Sequence, residues 1–491
     1  MRRTSLSHPV QIATVETLPG CGRIGVTFCP GKKDSNAMTG GWDRDLGLDL
    51  DAIVEWGAAV VVTLVEPFEL EELKVPHIGE EVAHRHMDWL HLPIRDVSTP
   101  GEVFEAAWAS AGPALHARLR DGQNVLVHCK GGLGRAGTIA ARLLVELGKA
   151  PNEAIARVRA VRPGALETKA QEAYVAQCAP FAAPAPLASP DALEDRAIGA
   201  LIGLAVGDAV GTTLEFRPRN DKAERHTQMI GGGPFRLKAG QWTDDTAMAL
   251  ALADSLTANP ALDPRDLMRR FVQWWQQGTY SCTGKCFDIG DTTRQAIQKW
   301  LKTGDPLAGS PAPHTAGNGS LMRLAPVAIR HWRDAEARHA VAALQSRTTH
   351  GAPEAVDACI LFADMIAEAI AGRARAEILA PRTFAGAPRI TALAAGEWRG
   401  KPRKAIKGSG YVVDALEASL WCIARTADFS SAVLMAANLR DDADTTAAIT
   451  GQLAGALYGA SGIPERWRDT LAWCPRIANM AGALFRDANK H

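Results

Sequence analysis

An α/β domain with a mostly parallel sheet flanked by helices, followed by an all-α domain, is the fold class that this 491-residue sequence predicts. Three observations carry it. The chain first alternates short apolar runs with helical patterns. A segment rich in alanine and proline, AQCAPFAAPAPLASPDALEDR, then breaks that rhythm. Beyond it, apolar residues recur at three- and four-residue spacing. The boundaries that follow are residues 1–180, a linker over 181–192, and residues 193–491. A length beyond what one hydrophobic core organises agrees with two domains.

In the first domain the strand-like runs are GRIGVTF, AAVVVTLVE, WLHLPI and NVLVHC, with helix-like segments between them. In the second, helices are expected over AMALALADSL, APEAVDACILFADMIAEAI and TAAITGQLAGALYG. Gly199, Gly203, Gly207 and Gly211 recur every four residues, which places a smooth stripe on one helix face and lets a neighbouring backbone approach closely. No tandem repeat of about 20–50 residues is apparent.

Lysine plus arginine and aspartate plus glutamate both number 54, so the chain carries no overall field for nucleic acid or anionic lipid, and any phosphate binding must be local. Nine cysteines without the dense spacing of a disulfide scaffold predict free thiols and a cytoplasmic setting. The start, MRRTSLSHPVQIATVETLPG, lacks the apolar stretch of a secretion signal. The run AIGALIGLAVG is about half a membrane span and is closed by Asp208, so no membrane partner is expected.

The segment NVLVHCKGGLGRAGTIAARLLVELG reads as a buried strand, a glycine-rich loop and an amphipathic helix. Free amides at a helix N-terminus, here over Lys130, Gly131, Gly132, Leu133 and Gly134, form a cradle for phosphate, because orphan N–H groups and the helix dipole both favour an anion. Cys129 in that cradle is expected to be a nucleophilic thiolate, and Arg135 to grip two phosphate oxygens with its planar fork. A leaving alkoxide or phenoxide needs a general acid, for which Asp96 in HLPIRDVSTP is the candidate; a simpler reading makes it the opening of a turn before Pro100.

This order resembles the HC-x5-R signature of protein tyrosine and dual-specificity phosphatases. LHLPIRDVSTP and HCKGGLGR look like the kinase-associated branch, over roughly residues 20–178. The resemblance implies catalysis through a phosphocysteine without a metal, and places Gln171 where such enzymes carry a glutamine that positions the hydrolytic water. One position departs from it. Ala136 stands where the family has a serine or threonine whose hydroxyl stabilises the departing thiolate, and Thr138, two residues on, is not expected to replace it, so breakdown of the intermediate should be slow.

Two acidic clusters open otherwise apolar helices, GQWTDDTAMALALADSL and NLRDDADTTAAITGQLAGALYG. Either alone could be an N-cap. Together, Asp244, Asp245, Asp442 and Asp444 would concentrate charge that demands cations. With the hydroxyls of Thr243 and Thr445, this oxygen-only set suits Mg2+ or Mn2+. Cys282 and Cys286 are read as ordinary buried thiols.

These segments resemble the ADP-ribosylglycohydrolase family through six ordered blocks: GALIGLAVGDAVGTTLEF, GQWTDDTAMAL, GNGSLMRLAPVAI, TTHGAPEAVDA, GSGYVVDALEASLW and RDDADTTAAI. The resemblance implies Thr243, Asp244, Asp245, Asp442, Asp444 and Thr445 as ligands of two divalent cations, and Glu215 as a catalytic glutamate beside the metals and the distal ribose. It implies that Gly317, Asn318, Gly319 and Ser320 offer amides to the diphosphate, with His350 and Tyr411 near the rest of the nucleotide. Packing roles for His350 and Tyr411, and a helix-capping role for Asp208, stand beside those readings. The reading that follows is a hydrolase fused to a phosphatase, acting on an ADP-ribosylated protein or small molecule and on a phosphorylated substrate. The acceptor stays open among arginine, serine, a nucleic-acid base and a small molecule. The alternative is that one or both domains bind ADP-ribose or phosphate without turnover.

Overall fold

Five short strands centre the amino-terminal unit: β1 (Ala13–Val15), β2 (Ile24–Phe28), β3 (Ala58–Thr63), β4 (Asp88–His91) and β5 (Asn124–Cys129). The computed structural model describes all residues except 1, 20, 36, 38, 39, 121, 182–189, 221–224, 490 and 491. It divides into two units, Met1–Ala185 and Pro186–His491. Residues 182–189 of the expected linker lie outside the described residues, and 190–192 already belong to a helix.

The sheet order is β1-β2-β5-β3-β4, antiparallel only at β1 and β2 and parallel elsewhere. Valines and leucines fill β3 and β5 because both faces of a parallel sheet are covered; Val60, Val61, Val125 and Leu126 are fully buried. Register pairs Phe28 with Cys129 and Thr63 with His128, so the carboxyl ends of three strands meet where ligands gather in open α/β sheets. The helices that shape this edge are α1 (Pro67–Glu72), α2 (Gly134–Glu146) and α3 (Lys169–Gln177).

In the second unit the described regular elements are all helical. Those at the site are α4 (Pro190–Gly211), α5 (Asp244–Ala258), α6 (Ala335–Thr349), α7 (Val412–Arg425) and α8 (Ala443–Tyr458). The expected glycine stripe is the contact between α4 and α8. A Cβ at Gly199, Gly203, Gly207 or Gly211 would lie 2.1–2.4 Å from the carbonyl oxygens of Gly455, Gly451, Ala447 and Ala443 respectively. Only hydrogen at those positions lets the two backbones touch. The apolar run expected to be too short for a membrane belongs to a longer helical stretch, Asp191–Leu214, of mean hydropathy 1.6. That stretch has the length and composition to cross a bilayer, yet 94% of its most apolar part is buried inside the unit.

Candidate active sites

Cys129 ends β5 and is buried. The loop after it is held open from outside: Arg162 donates to the Gly131 and Gly132 carbonyls at 3.0 and 2.9 Å, and the Lys32 ammonium to the Lys130 carbonyl at 3.2 Å. With those carbonyls turned outward, the Gly132 amide donates to the Cys129 Sγ at 3.2 Å. Gly132 has φ +70°, and a Cβ there would meet the Thr27 backbone at 2.5 Å, so the turn requires glycine. The Leu133 carbonyl accepts from Gly137, and Gly134 begins α2.

Arg135 is almost fully buried, and its guanidinium meets both oxygens of Glu69 at 2.5 and 2.9 Å, the Ile94 carbonyl at 3.0 Å and Asp96 at 2.8 Å. Glu69 is the orienting group that sequence reasoning missed. It is the third residue of α1, where its carboxylate also accepts from the Glu66 amide at 2.8 Å. Burial, the largest single influence, raises its carboxyl, but the hydrogen bonds from Arg135 and the Glu66 amide together with the charge of Arg135 hold it below its ordinary value. Nothing in VEPFELEE distinguishes it from a surface helix start. Asp96 does reach the cradle, as expected, with its side chain half exposed and resting on Arg135.

His128 is neutral, since burial pushes it down to about 3. Its Nε2 lies 2.7 Å from Thr63 Oγ1, which also accepts from the Trp89 indole at 2.8 Å. The Gln171 side chain bridges the Glu167 amide (2.8 Å) and the Ser98 carbonyl (3.3 Å), joining α3 to the segment after Asp96. Ala136 is fully buried, and Thr138 spends its hydroxyl on the Gly134 carbonyl at 2.8 Å.

In the second unit, carboxylates converge from three helices and two loops. Oxygens of Asp208, Asp245 and Asp444 lie within 4.8 Å of one another, as do those of Glu215, Asp442 and Asp444. The two triads share Asp444. Asp208, read as a cap of its own helix, instead projects from within α4 and caps α5, accepting from the Thr243 and Thr246 amides at 2.8 and 3.0 Å. Thr243 Oγ1 lies 2.8 Å from Asp208, 3.2 Å from Asp245 and 3.3 Å from Asp444. Glu215 caps α8, accepting from Ala443 at 2.7 Å and Asp444 at 3.3 Å. Thr445 is buried in the first turn of α8, its amide on Asp444 at 2.8 Å. Asp244 opens α5 beside these groups but belongs to neither triad.

Burial, and then Asp444, raise Asp208 and Asp442 to about 7. The same two causes raise Asp288 to about 9 and raise Glu215 as well. Asp244 and Asp245 are raised well above 3.8 by burial and neighbouring carboxylates. Asp245 Oδ1 is buried without a hydrogen-bond partner. An orphaned buried carboxylate oxygen inside a crowd of anions is the signature of a cation site, so these residues fit divalent metals. Asp288, in CFDIGD, was missed because it stands in a loop, three residues before the helix that starts at Asp291; it sits in the left-handed region at φ +57°.

The residues that the resemblance places around a nucleotide also assemble. Gly317 bridges Tyr411, and the Asn318 side chain donates to Asp442 at 2.6 Å. His350 is neutral, lowered to about 3 by burial and then by Arg323, and a Cβ on Gly319 would meet its ring at 2.7 Å. The expected amide cradle is smaller than the four residues suggest. Gly317 and Asn318 donate their amides to the Thr315 and Gly410 carbonyls, and the Ser320 hydroxyl is buried against Ser346 at 2.8 Å. Among the described residues, the Gly319 and Ser320 amides meet no backbone carbonyl. The Tyr411 hydroxyl donates to Glu354, with Arg389 over the ring at 5.4 Å. Cys282 and Cys286 are half-buried, not core thiols; Cys282 Sγ lies 3.4 Å from the Trp242 carbonyl.

Residues 189–491 match the family model described as ADP-ribosylglycohydrolase, and residues 43–175 that of a Swiss Army Knife protein, DSP-PTPase phosphatase domain. The ADP-ribosylarginine hydrolase of Pseudomonas putida is 48% identical over 297 residues, which is 60% of this chain and 80% of that one. The ADP-ribosyl-[dinitrogen reductase] glycohydrolase of Rhodospirillum rubrum is 36% identical over 57% of this chain and 91% of its own length. A solved ADP-ribosylglycohydrolase-related protein complex matches with TM-score 0.55 and 38% identity, over 61% of this chain and 99% of that chain.

Proposed function

The chain belongs to the ADP-ribosylglycohydrolase family, joined to a phosphatase domain of dual-specificity type, and from that premise we propose that its carboxy-terminal half removes ADP-ribose from arginine. The arginine acceptor is suggested by the name and 48% identity of the Pseudomonas putida relative. The observation that carries the reading is the pair of carboxylate triads sharing Asp444. We assign one cation to Asp208, Asp245, Asp444 and Thr243, and a second to Asp442 and Asp444, with Asp244 and Thr445 completing the set and Glu215 beside it as the proton acceptor. Divalent cations there would supply positive charge for the vicinal ribose hydroxyls and lower the pKa of a bound water.

This chain's own groups do the rest. Asn318 fixes the Asp442 carboxylate. The Gly319 and Ser320 amides receive the diphosphate. Glu215, tied by one oxygen to the start of α8, keeps its other oxygen for the proton moved during water attack.

In the amino-terminal half, Cys129 attacks phosphorus, Asp96 protonates the leaving oxygen, and Arg135 with the loop amides holds the charge of the transition state. Glu69 fixes the guanidinium so that a phosphate displaces only Asp96 from it. Once displaced, Asp96 is free to face the leaving group.

The test of the metal reading is a titration of EDTA-stripped full-length protein with Mn2+, followed by electron paramagnetic resonance. Two equivalents should bind. Asp444→Asn should weaken both, and Asp208→Asn chiefly one. A single equivalent unaffected by Asp444→Asn would sink the assignment.

A further inference from the structure

Hydrolysis of a phosphocysteine returns a full negative charge to Sγ, and the position that the resemblance reserves for a stabilising hydroxyl holds a buried alanine, Ala136. The Thr138 hydroxyl is committed to the Gly134 carbonyl. Arg135 is held through its two terminal nitrogens by Glu69, Asp96 and the Ile94 carbonyl and is the group that grips the transferred phosphate, while Arg162, which also feels the Cys129 sulfur, donates to two loop carbonyls. We propose that the ammonium of Lys32 is the charge partner of the Cys129 thiolate during breakdown of the phosphoenzyme, doing electrostatically what a hydroxyl at position 136 would do by hydrogen bonding. The proposal rests on the phosphocysteine reading above.

Lys32 lies just beyond β2, whose last residue, Phe28, is the register partner of Cys129. Its side chain is buried, at 6% exposure, and its Nζ donates to the carbonyl of Lys130, the residue after the nucleophile. The rings of Phe28 and Trp42, at 5.1 and 4.5 Å from Nζ, hold the ammonium in an apolar and aromatic setting where its charge is weakly screened. Burial lowers the ammonium, Cys29, Asp34 and then Cys129 pull it back, and the Arg44 guanidinium opposes them. Burial pushes the Cys29 thiol up to about 12, so it stays protonated beside Lys32.

The step balances without a further reactant. A water oxygen bonds to phosphorus as the P–S bond breaks. The electron pair stays on Sγ, the water proton passes to the Asp96 carboxylate, and inorganic phosphate leaves. Lys32 gives up no proton.

The experiment is a quenched-flow comparison of the full-length protein with p-nitrophenyl phosphate, using Lys32→Gln, Lys32→Arg, Ala136→Ser and the Lys32→Gln/Ala136→Ser double variant. Glutamine keeps a donor for the Lys130 carbonyl and removes the charge. The expected result is a breakdown rate about tenfold lower in Lys32→Gln, hence a larger burst over a slower steady state, with Lys32→Arg near wild type. Ala136→Ser should restore the double variant. Alkylation of Cys129 by iodoacetamide, read against pH, should move to higher pH in Lys32→Gln, and this readout does not depend on any phosphoenzyme. Equal slowing of burst and steady state without rescue by serine, or an unmoved alkylation profile, overturns the proposal. If no acid-stable phosphoprotein forms in wild type while the alkylation profile still shifts, it is the phosphocysteine reading that fails, and the role of Lys32 in breakdown falls with it. Should Lys32→Gln not fold, Lys32→Met is measured in its place.

Discussion

Gly207→Ala sets two effects of opposite sign against each other. Alanine in a helix interior is worth about 1 kcal/mol over glycine, so on propensity alone the substitution stabilises α4. The added Cβ, however, would lie 2.1 Å from the Ala447 carbonyl oxygen, where ordinary contact begins near 3.4 Å. The obstacle is backbone of α8, which cannot rotate away as a side chain could, so the helices must part by roughly 1 Å. Overpacking of this kind costs ~1–3 kcal/mol, and a backbone obstacle puts it at the upper end. The net expectation is a loss of about 2 kcal/mol, or, for a unit of this size, a melting temperature lower by about 3 °C.

The function follows the packing. Asp208 adjoins the mutated residue on α4, and Asp444 sits in the first turn of α8, so parting the helices stretches the triad of Asp208, Asp245 and Asp444. Mn2+ affinity should fall about tenfold, equivalent to ~1.4 kcal/mol. Differential scanning fluorimetry and a Mn2+ titration of the full-length protein measure both. A raised melting temperature with unchanged Mn2+ affinity would refute the close-contact account of the glycine stripe.

Glu69→Gln removes the charge that anchors Arg135 and should cost about 2–3 kcal/mol in urea unfolding of the first unit, with weaker inhibition by inorganic phosphate; full stability and phosphate affinity would contradict its orienting role. In EDTA, the raised carboxyls of Asp208, Asp442 and Asp288 mean that the folded protein binds more protons than the unfolded chain between about pH 4 and the values of about 7 to 9 reached by these groups. Stability of the second unit must therefore fall as pH rises through that window, by up to about 1.4 kcal/mol per pH unit for each group, and saturating Mn2+ should abolish the slope. A melting temperature in EDTA that rises from pH 5 to 8 would count against the buried carboxylate cluster.

Legibility in the sequence followed locality. NVLVHC became β5, and Cys129, its loop and Arg135 were readable because strand, turn and helix follow one another in the chain. The glycine stripe was readable because a four-residue period is a helix face. The edge strand Ala13–Val15 was not, since three residues show no alternation. Glu69 and Lys32 approach the cradle only when separate strand ends are brought side by side, and neither stretch carries a pattern of its own.

The same contrast holds in the second unit. Asp245, Asp442 and Asp444 stood out as pairs at helix starts, whereas Asp208 was hidden inside an apolar helix and Asp288 in a loop. The amides of Gly317 and Asn318 looked free in a glycine-rich segment. They are not: Gly317 turns back onto the Thr315 carbonyl, and Asn318 donates to the Gly410 carbonyl, some ninety positions later, a pairing that only the tertiary fold reveals.

The most direct measurement of the central claim, two independent hydrolytic sites on one chain, assays both activities in wild type, Cys129→Ser and Asp444→Asn, each with Mn2+ and with EDTA. Release of ADP-ribose from ADP-ribosylarginine should vanish in EDTA and in Asp444→Asn while persisting in Cys129→Ser. Release of phosphate from a phosphotyrosine peptide should show the converse, lost only in Cys129→Ser and indifferent to EDTA. Loss of both activities through either substitution, or arginine de-ADP-ribosylation that survives EDTA in Asp444→Asn, would contradict it.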